Sequence, residues 1–191
     1  MKNQLRKIIL QRRDNLKPEE RLSLSKQIWT SLFTLPEFLK AKHIMIYLNF
    51  GSEVETIPFI DDLFSQNKNV YAPVTNTKNK SLTIYPIIKD KTKLFKGSYG
   101  IPEPEKINGP INPSQIDLII VPGVVFDFDC QRIGYGAGYY DRFLQSVSPS
   151  ATILGIAYDL QLVKKIKTDK HDLPMDLVVT EKRIINRKNK S

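Results

Sequence analysis

Short apolar runs place the tightest constraint on how this chain can fold. They cover residues 43–48, 70–74, 117–122, 153–157 and 177–180, and each has the length of a β-strand. A strand that is apolar along most of its length leaves no face for water, which is typical of a parallel sheet covered on both sides. These runs therefore predict a buried, mostly parallel sheet.

Helical patterns alternate with the strands. Pro18, followed by two acids, opens one predicted helix. Thr56 is predicted to cap another that reaches about Gln66, and residues 160–166 are compatible with a third. The alternation indicates an α/β three-layer sandwich with a mostly parallel central sheet flanked by helices, Rossmann-like in organisation. The length fits a single domain spanning residues 1–191.

The first predicted helix presents a basic row beside an apolar stripe. Helical spacing places Lys2, Arg6 and Arg13 within about 40° of one another. The stripe comprises Leu5, Ile8, Ile9 and Leu16. We expect the stripe to lie on the core. The basic row is either a solvated face or a surface that meets an anion.

The charge of the chain is concentrated at its two ends. Lys and Arg total 29 against 20 Asp and Glu, for a net charge of +9. Residues 1–26 carry eight cations and three anions, and residues 160–191 carry nine and four. The sequence has no helix-turn-helix or zinc-finger pattern, and its aromatic residues fall largely within apolar runs. Nucleic acid is therefore not expected as a partner.

The cysteine content and the distribution of apolar residues bear on the cellular compartment expected for the chain. Cys130, on a turn expected to be exposed, has no second cysteine with which to form an internal disulfide, which fits a reducing compartment. No window approaches the ~20 apolar residues that cross a bilayer. We expect a cytoplasmic protein without a membrane partner, and a monomer.

The segment after the strongest predicted strand is the best suited to chemistry. Glycines alternate with other residues from Gly134 to Gly138, so the backbone can approach a ligand closely and direct several N–H groups at one point. Two tyrosines follow at the expected start of a helix, which adds its positive end to an anion site. Asp141 comes next, where a carboxylate can hold Mg²⁺ that bridges bound phosphates.

The residues alone leave several interpretations of this segment open. A glycine-rich turn can serve only to let a helix pack closely, and an acid in a first turn can serve only to compensate the helix dipole. A phosphate-binding loop suits an ATP-dependent enzyme. It also suits a sugar-phosphate isomerase or acyl-transfer enzyme on a similar scaffold, which needs no ATP. The glycine spacing matches neither the P-loop nor the dinucleotide-binding fingerprint.

The stretch from Pro122 to Leu144 resembles the signature of the 5-formyltetrahydrofolate cyclo-ligase family. It contains Pro-Gly-Val-Val-Phe-Asp and then Arg-Ile-Gly-Tyr-Gly-Ala-Gly-Tyr-Tyr-Asp-Arg-Phe-Leu. Weaker likenesses in the family's order extend over essentially the whole chain. The resemblance implies ATP-dependent cyclisation of 5-formyltetrahydrofolate to 5,10-methenyltetrahydrofolate, with release of ADP and phosphate. It implies phosphorylation of the formyl oxygen followed by attack of N10.

The resemblance also implies roles for individual residues. Lys2 and Arg6 match the family's N-terminal ATP contacts. The nucleotide-binding loop corresponds to Arg132, Ile133, Gly134, Tyr135, Gly136, Ala137, Gly138, Tyr139 and Tyr140. Positions near the folate correspond to Leu48, Glu53, Gly136, Gly138 and Tyr139. The Glu53 carboxylate would pair with the donor edge of the pterin, and no residue is assigned a catalytic role beyond positioning.

Mg²⁺ is the implied cofactor, with ATP and 5-formyltetrahydrofolate as the small-molecule partners. Asp141 matches the metal ligand. Asp172 and Asp176 lie in a stretch that resembles the closing motif of the family, and one of them, in the first place Asp172, is a second candidate acid. Many members carry Arg or Lys where this chain has Tyr135 and Ala137. The loop therefore lacks cations that would help to hold phosphate or a polyglutamate tail.

Overall fold

A computed structural model describes residues 2–169 and 172–187. Its centre is a seven-stranded sheet, accompanied by a three-stranded and a two-stranded sheet. In chain order the strands are β1 (His43–Met45), β2 (Asn69–Asn76), β3 (Ser81–Ile87), β4 (Leu94–Lys96), β5 (Pro102–Pro104), β6 (Leu118–Val121), β7 (Val125–Asp127), β8 (Arg132–Ile133), β9 (Thr152–Ile156), β10 (Leu162–Val163), β11 (Leu177–Val179) and β12 (Ile184–Asn186).

The central sheet has the order β12-β11-β9-β6-β1-β2-β3. The strands from β11 to β2 run parallel, while β12 and β3 add antiparallel edges. The chain moves outward from β1 to β2 on one side and from β6 to β11 on the other. The strand order therefore reverses between β1 and β6, the topological switch point at which doubly wound sheets bind ligands. The predicted Rossmann-like, mostly parallel sheet is confirmed.

Helices cover both faces of this sheet. The α-helices are α1 (Lys2–Asp14), α2 (Pro18–Leu32), α3 (Pro36–Lys40), α4 (Ile60–Ser65) and α5 (Tyr139–Phe143). Short 3-10 turns occupy Ile57–Phe59, Ser98–Gly100, Pro113–Gln115, Leu144–Ser146 and Asp159–Gln161. Residues of α2, α3 and α4 share a core with one face, and α5 packs on the other. In the described part of the chain, no helix is both long enough and apolar enough to span a membrane.

Burial explains why β6 is a continuous apolar run. Leu118 and Ile120 pack in the core that contains Trp29 of α2, whereas Ile119 and Val121 lie in the core of the opposite face. All of these side chains are fully buried. Because side chains alternate across a strand, covering both faces requires an apolar residue at every position.

The first helix packs on the three-stranded sheet of β10, β7 and β8. Ile9 is buried there with Val124, Val125 and Ile133. The prediction that Ile8 belongs to the buried stripe is wrong, because this residue is 41% exposed. Two of the three strands contain only two residues each, so the sheet offers too narrow a surface to cover the whole stripe.

The predicted helix at residues 160–166 is also wrong. The chain forms a 3-10 turn at Asp159–Gln161 and then β10, which pairs in parallel with β7. The buried Gln161 amide donates to the carbonyls of Gly123 and Val124 at 2.9 and 3.1 Å. These bonds to a distant part of the chain favour an extended conformation over a helix.

Cys130 is fully buried, which contradicts the exposed turn expected for it. Its φ of 58° places it in a left-handed turn, and its carbonyl accepts a hydrogen bond from Met175 N–H at 2.8 Å. Its thiol lies 3.6 Å from the carbonyl oxygen of Ile185. Segments far along the chain cover this turn, so its local polarity gave no sign of burial.

Candidate active site

A cavity of about 620 Å³ lies beside the residues that follow β1 and β6, at the switch point of the sheet. This volume is within the range of small-molecule sites. Every residue to which the sequence gave a site role lines it. These residues are Lys2, Arg6, Leu48, Glu53, the stretch from Arg132 to Asp141, and Asp172. The fold thus brings together four regions that are distant from one another in the chain.

The glycine loop (residues 132–140) requires glycine at two positions. Gly136 and Gly138 have φ values of 105° and 69°, a region that disfavours residues with a Cβ. At Gly138 a Cβ would also lie 2.8 Å from Nη1 of Arg142. The next helix, α5, starts where predicted but has only five residues, so few peptide dipoles add at its N-terminus. Positive charge at the loop must come chiefly from side chains.

The first turns of α1 bring two cations to the cavity. Arg6 Nε donates to the carbonyl of Gly134 at 2.8 Å and so ties the helix to the glycine loop. Lys2 Nζ lies 2.6 Å from Asp169 Oδ2 and 2.5 Å from Asp172 Oδ2, and its side chain is 27% exposed. Burial lowers the pKa of Lys2, but the bonds to the two acids outweigh it and leave this pKa above its ordinary value.

Arg132, the first residue of the glycine loop, forms a salt bridge with Asp141. Its Nη2 lies 2.7 Å from Asp141 Oδ1, and its side chain is 4% exposed against 31% for Asp141. Nη1 donates to the carbonyl of Pro122 at 3.2 Å, and the guanidinium lies 5.9 Å from the centroid of the Tyr140 ring. Its buried Nε has no hydrogen-bond partner among the described residues. Such an under-satisfied guanidinium favours an anionic ligand nearby.

The donors around Asp141 fit Mg²⁺ only when a ligand supplies further oxygens. Within residues 2–169 and 172–187, no group of three His, Cys, Asp or Glu side chains could hold a metal ion. Mg²⁺ is commonly bound by one or two carboxylates and completes its shell with water and phosphate oxygens. A single, partly exposed carboxylate beside the glycine loop would meet that requirement once a phosphorylated ligand is bound.

The closing motif of the chain contributes one acid to the cavity. Asp172 lines it and accepts from Lys2 and from the N–H of Asp169. Burial raises the pKa of Asp172, but these hydrogen bonds outweigh it and leave the pKa below its ordinary value. Asp176 is used elsewhere, because its Oδ2 accepts from the N–H of Ile153 at 2.9 Å. His171 lies outside the described residues.

The Glu53 loop (residues 49–56) is fixed by hydrogen bonds between its two ends. The Asn49 side chain accepts from the N–H groups of Thr56 and Ile57, both at 2.9 Å. The Thr56 hydroxyl donates to the carbonyl of Tyr47 at 2.6 Å. Thr56 does precede the first turn, but as the N-cap of the 3-10 turn Ile57–Phe59 and not of α4. Its side chain makes no cap bond, because its hydroxyl is used by Tyr47 and by the N–H of Asn49, which donates to it at 3.0 Å.

Glu53 is a buried acid, with 7% of its surface exposed. Its Oε2 accepts from Phe50 N–H at 2.9 Å. Burial raises the pKa of Glu53, and the lowering effects of Arg13, the Phe50 amide and Tyr135 do not fully offset it, so the pKa stays above its ordinary value. The carboxylate is thus oriented before any ligand binds and is not a solvated loop acid.

Sequence reasoning gave no site role to Arg13, which contacts the cavity-lining Tyr135, or to two aromatic residues that line the cavity. Arg13 belongs to the basic row of α1, yet it is 2% exposed and its Nη2 donates to the Tyr135 hydroxyl at 2.6 Å. Helical spacing is the one signal that links it to the cations at the site. The aromatic side chains of Phe50 and Tyr99 also line the cavity, and no sequence pattern singled them out.

These features define a class of protein. A doubly wound α/β fold with a ligand cavity at its switch point, a glycine-rich loop and converging cations is typical of enzymes that bind phosphorylated small molecules. Within that class, the chain belongs to the 5-formyltetrahydrofolate cyclo-ligase family, whose sequence model matches residues 1–181. The resemblance seen in the sequence is thereby confirmed.

Relatives match over nearly their entire length. A 5-formyltetrahydrofolate cyclo-ligase of Escherichia coli (strain K12) is 33% identical over 179 residues, which is 93% of this chain and 98% of the relative. One of Mus musculus is 30% identical over 191 residues, covering 94% and 93% of the two chains.

Solved structures agree with the fold. The 5,10-methenyltetrahydrofolate synthetase of Aquifex aeolicus superimposes with a TM-score of 0.86 at 34% identity, covering 100% of this chain and 94% of that one. The synthetase of Mycoplasma pneumoniae gives a TM-score of 0.77 at 27% identity, with 94% and 98% covered. These relatives favour the ATP-dependent ligase over the sugar-phosphate isomerase or acyl-transfer alternative.

Proposed function

We propose that this chain catalyses the ATP-dependent cyclisation of 5-formyltetrahydrofolate to 5,10-methenyltetrahydrofolate, with release of ADP and phosphate. The observation that carries the proposal is the convergence of the α1 cations, the glycine loop and the buried Glu53 on one cavity. Membership of the cyclo-ligase family gives independent support.

The substrate dictates what such a site must do. A formamide carbonyl on N5 is a weak electrophile, so its oxygen must become a leaving group before N10 can close the ring. Transfer of the γ-phosphoryl group forms the bond from the formyl oxygen to phosphorus and breaks the bond from phosphorus to ADP. N10 then attacks the formyl carbon and loses its proton, and cleavage of the C–O bond releases phosphate. The protein chiefly positions two substrates and neutralises charge.

In this proposal the triphosphate of ATP binds between α1 and the glycine loop. Lys2 exchanges its bonds to acids for bonds to phosphate oxygens, while Arg6 and Arg132 add positive charge alongside the backbone N–H groups of the loop. Asp141 would hold Mg²⁺ together with oxygens of ATP, and the ion, when bound, neutralises charge on the phosphates. Asp172, which lines the same cavity, would be the second candidate carboxylate for the ion.

The folate binds at the other end of the cavity, against Leu48, Glu53 and Tyr139. Gly136 and Gly138 let the glycine loop approach it closely. Glu53, already oriented by its hydrogen bonds, accepts from the donor edge of the pterin. Because the loop carries Tyr135 and Ala137 rather than cations, we expect little added affinity for polyglutamate tails.

We propose that the chain works in the cytoplasm as a monomer, without nucleic acid. Its single cysteine suits a reducing compartment. The monomer is supported by the cavity, because one chain supplies side chains for both of its ends.

A direct assay tests the proposed activity. The protein is mixed with 5-formyltetrahydrofolate, ATP and Mg²⁺, and the near-ultraviolet absorbance of the methenyl product is followed. We expect a rise that requires ATP and that releases ADP and phosphate in equal amounts with the product. Omission of ATP and its replacement by ADP are the controls. Folded protein that gives no ATP-dependent rise would contradict the proposal.

A further inference from the structure

Arg13 is a buried cation whose direct hydrogen-bond partners are all neutral. It donates to Ser52 Oγ at 3.0 Å, to the carbonyl of Gly123 at 3.4 Å and to the Tyr135 hydroxyl at 2.6 Å. The ion pairs found among the described residues do not include it. A buried charge without an opposite charge nearby is costly, so a group beyond these partners must balance it.

Two acids lie beyond these partners. The Ser52 hydroxyl donates to Asp14 Oδ1, and the buried Glu53 follows Ser52 in the same loop. The Tyr135 hydroxyl accepts from Arg13, and both residues lower the pKa of Glu53 against the effect of burial, so they favour its charged form. The Arg13 guanidinium lies 5.8 Å from the centroid of the Tyr135 ring, which further restricts where the hydroxyl can point.

The contacts of Arg13 join the parts of the chain that enclose the folate end of the cavity. Ser52 belongs to the Glu53 loop, Gly123 follows β6, and Tyr135 belongs to the glycine loop. The glycine loop carries Tyr135 rather than a cation, and α1 delivers a guanidinium to the same place. One side chain of α1 therefore fixes both the charge and the geometry around Glu53.

We propose that Arg13 is a positioning residue for folate recognition, which joins Ser52 of the Glu53 loop to Tyr135 of the glycine loop and so holds Glu53 in place for the pterin. This inference rests on the proposed function. It assigns Arg13 to the folate end, although Arg13 shares its helix with Lys2 and Arg6 at the nucleotide end. A variant of Arg13 should therefore affect the two substrates unequally.

The test compares Arg13→Met with Arg12→Met, which removes an exposed cation from the next position of the same helix. Initial rates give the KM for each substrate, and circular dichroism and thermal melting check folding. Loss of a charged hydrogen-bond network should raise the folate KM of Arg13→Met on the order of tenfold. The ATP KM should stay within about twofold of the parent, as should both KM values of Arg12→Met.

Two further variants make the test decisive. Arg13→Lys keeps the charge without the planar fork, so its folate KM should lie between those of the parent and Arg13→Met. Tyr135→Phe removes only the bridging hydroxyl of a half-exposed residue and should reproduce the selective rise in folate KM. If Arg13→Met does not fold, Tyr135→Phe decides the question.

The outcomes separate this inference from the proposed function. An active parent whose folded Arg13→Met or Tyr135→Phe variant leaves both KM values unchanged, or raises them equally, overturns the role of Arg13 alone. Equal effects would mean that α1 has loosened as a whole. A folded parent that never forms the methenyl product overturns the proposed function, and the inference falls with it.

Discussion

The two ends of the cavity hold their charges in different ways. At the proposed nucleotide end, ion pairs such as that between Lys2 and Asp172 are direct and border solvent. At the proposed folate end, the carboxylate of Glu53 is buried, and the equally buried guanidinium of Arg13 donates to Ser52 and Tyr135. The first arrangement can exchange partners, whereas the second is fixed.

The difference suits the ligand proposed for each end, ATP at one and the folate at the other. Exposed ion pairs contribute little to stability, roughly 0–1 kcal/mol, so a phosphate can replace one partner at small cost. A buried charge is held in one orientation by the residues around it. The entropy cost of orienting it is therefore met during folding and not during binding. We therefore expect the nucleotide end to respond to metal and ATP concentration, and the folate end to respond as one connected unit.

The largest effect is expected from Asp141→Asn at the nucleotide end. The change removes the proposed metal ligand and the carboxylate partner of Arg132, which should lower kcat/KM for ATP on the order of 100-fold at limiting Mg²⁺. Titration of the rate with Mg²⁺ measures this. Asp90→Asn is the matched control, because Asp90 is exposed and has a left-handed φ of 59° that Asn tolerates. Activity equal to the parent at limiting Mg²⁺ contradicts the metal assignment.

Glu53→Gln should have the next largest effect, at the folate end. Replacing the buried carboxylate by an amide presents an N–H donor to the donor edge of the pterin, so the folate KM should rise on the order of 30-fold. The ATP KM should change little. Steady-state kinetics with each substrate varied in turn provides the measurement, with Glu20→Gln at an exposed position as the control. A larger rise in the ATP KM would show that Glu53 serves the nucleotide.

The double change of Lys2→Ala and Arg6→Ala tests the nucleotide end from the opposite side. Loss of two cations beside the phosphates should raise the ATP KM by about tenfold, with a smaller change in the folate KM. Because the Lys2 pairs border solvent, the melting temperature should fall only slightly. The pair Lys7→Ala and Arg12→Ala removes two exposed cations from the same helix as a control. A folate KM that rises more than the ATP KM refutes the ATP role of α1.

The smallest predicted effect is a shift in pH dependence at the folate end. Burial raises the pKa of Glu53 above 4.5, so this carboxylate takes up a proton, and ceases to be a charged acceptor, as the pH falls through that raised value. The acid limb of kcat/KM for folate should therefore lie above pH 4.5. The ionisable groups that act on Glu53 are Arg13, Tyr47, Glu55, Tyr135 and Tyr140.

Tyr135→Phe tests this prediction further, because the direction of the expected shift in the acid limb is known. The Tyr135 hydrogen bond lowers the pKa of Glu53, so its loss should move the acid limb to higher pH. The profile of kcat/KM for ATP serves as the internal control. A shift to lower pH would mean that the hydroxyl does not stabilise the charged carboxylate.

The fold could be predicted from the sequence where it depends on a pattern of neighbouring residues that recurs along the chain. A strand such as β6 is apolar at every position because both of its faces are covered, and that pattern can be recognised in the sequence alone. The glycine loop could also be recognised, because its backbone adopts left-handed φ values at Gly136 and Gly138 that favour glycine. Its match to a family signature placed the remaining site residues in one group, and all of them line one cavity.

The wrong predictions concern residues whose contacts come from distant parts of the chain. Residues 160–166 have a helical composition but form a turn and a strand, because Gln161 hydrogen bonds to residues near β7. Cys130 looked exposed because the segments that cover it come more than 40 residues later. Thr56 lies at the predicted N-cap position but makes no cap bond, because its hydroxyl bonds to Tyr47 and Asn49.

The sequence by itself therefore determined the class of fold, the position of the glycine loop and the family. Each of these depends on residues that are close together in the chain or that form a specific motif. Only the tertiary structure decided that Glu53 is buried and that Arg13 is buried with bonds to Ser52 and Tyr135. The free energy of a buried charge depends on what surrounds it in space, and for Glu53 the fold gathers those neighbours from α1, the glycine loop and α5.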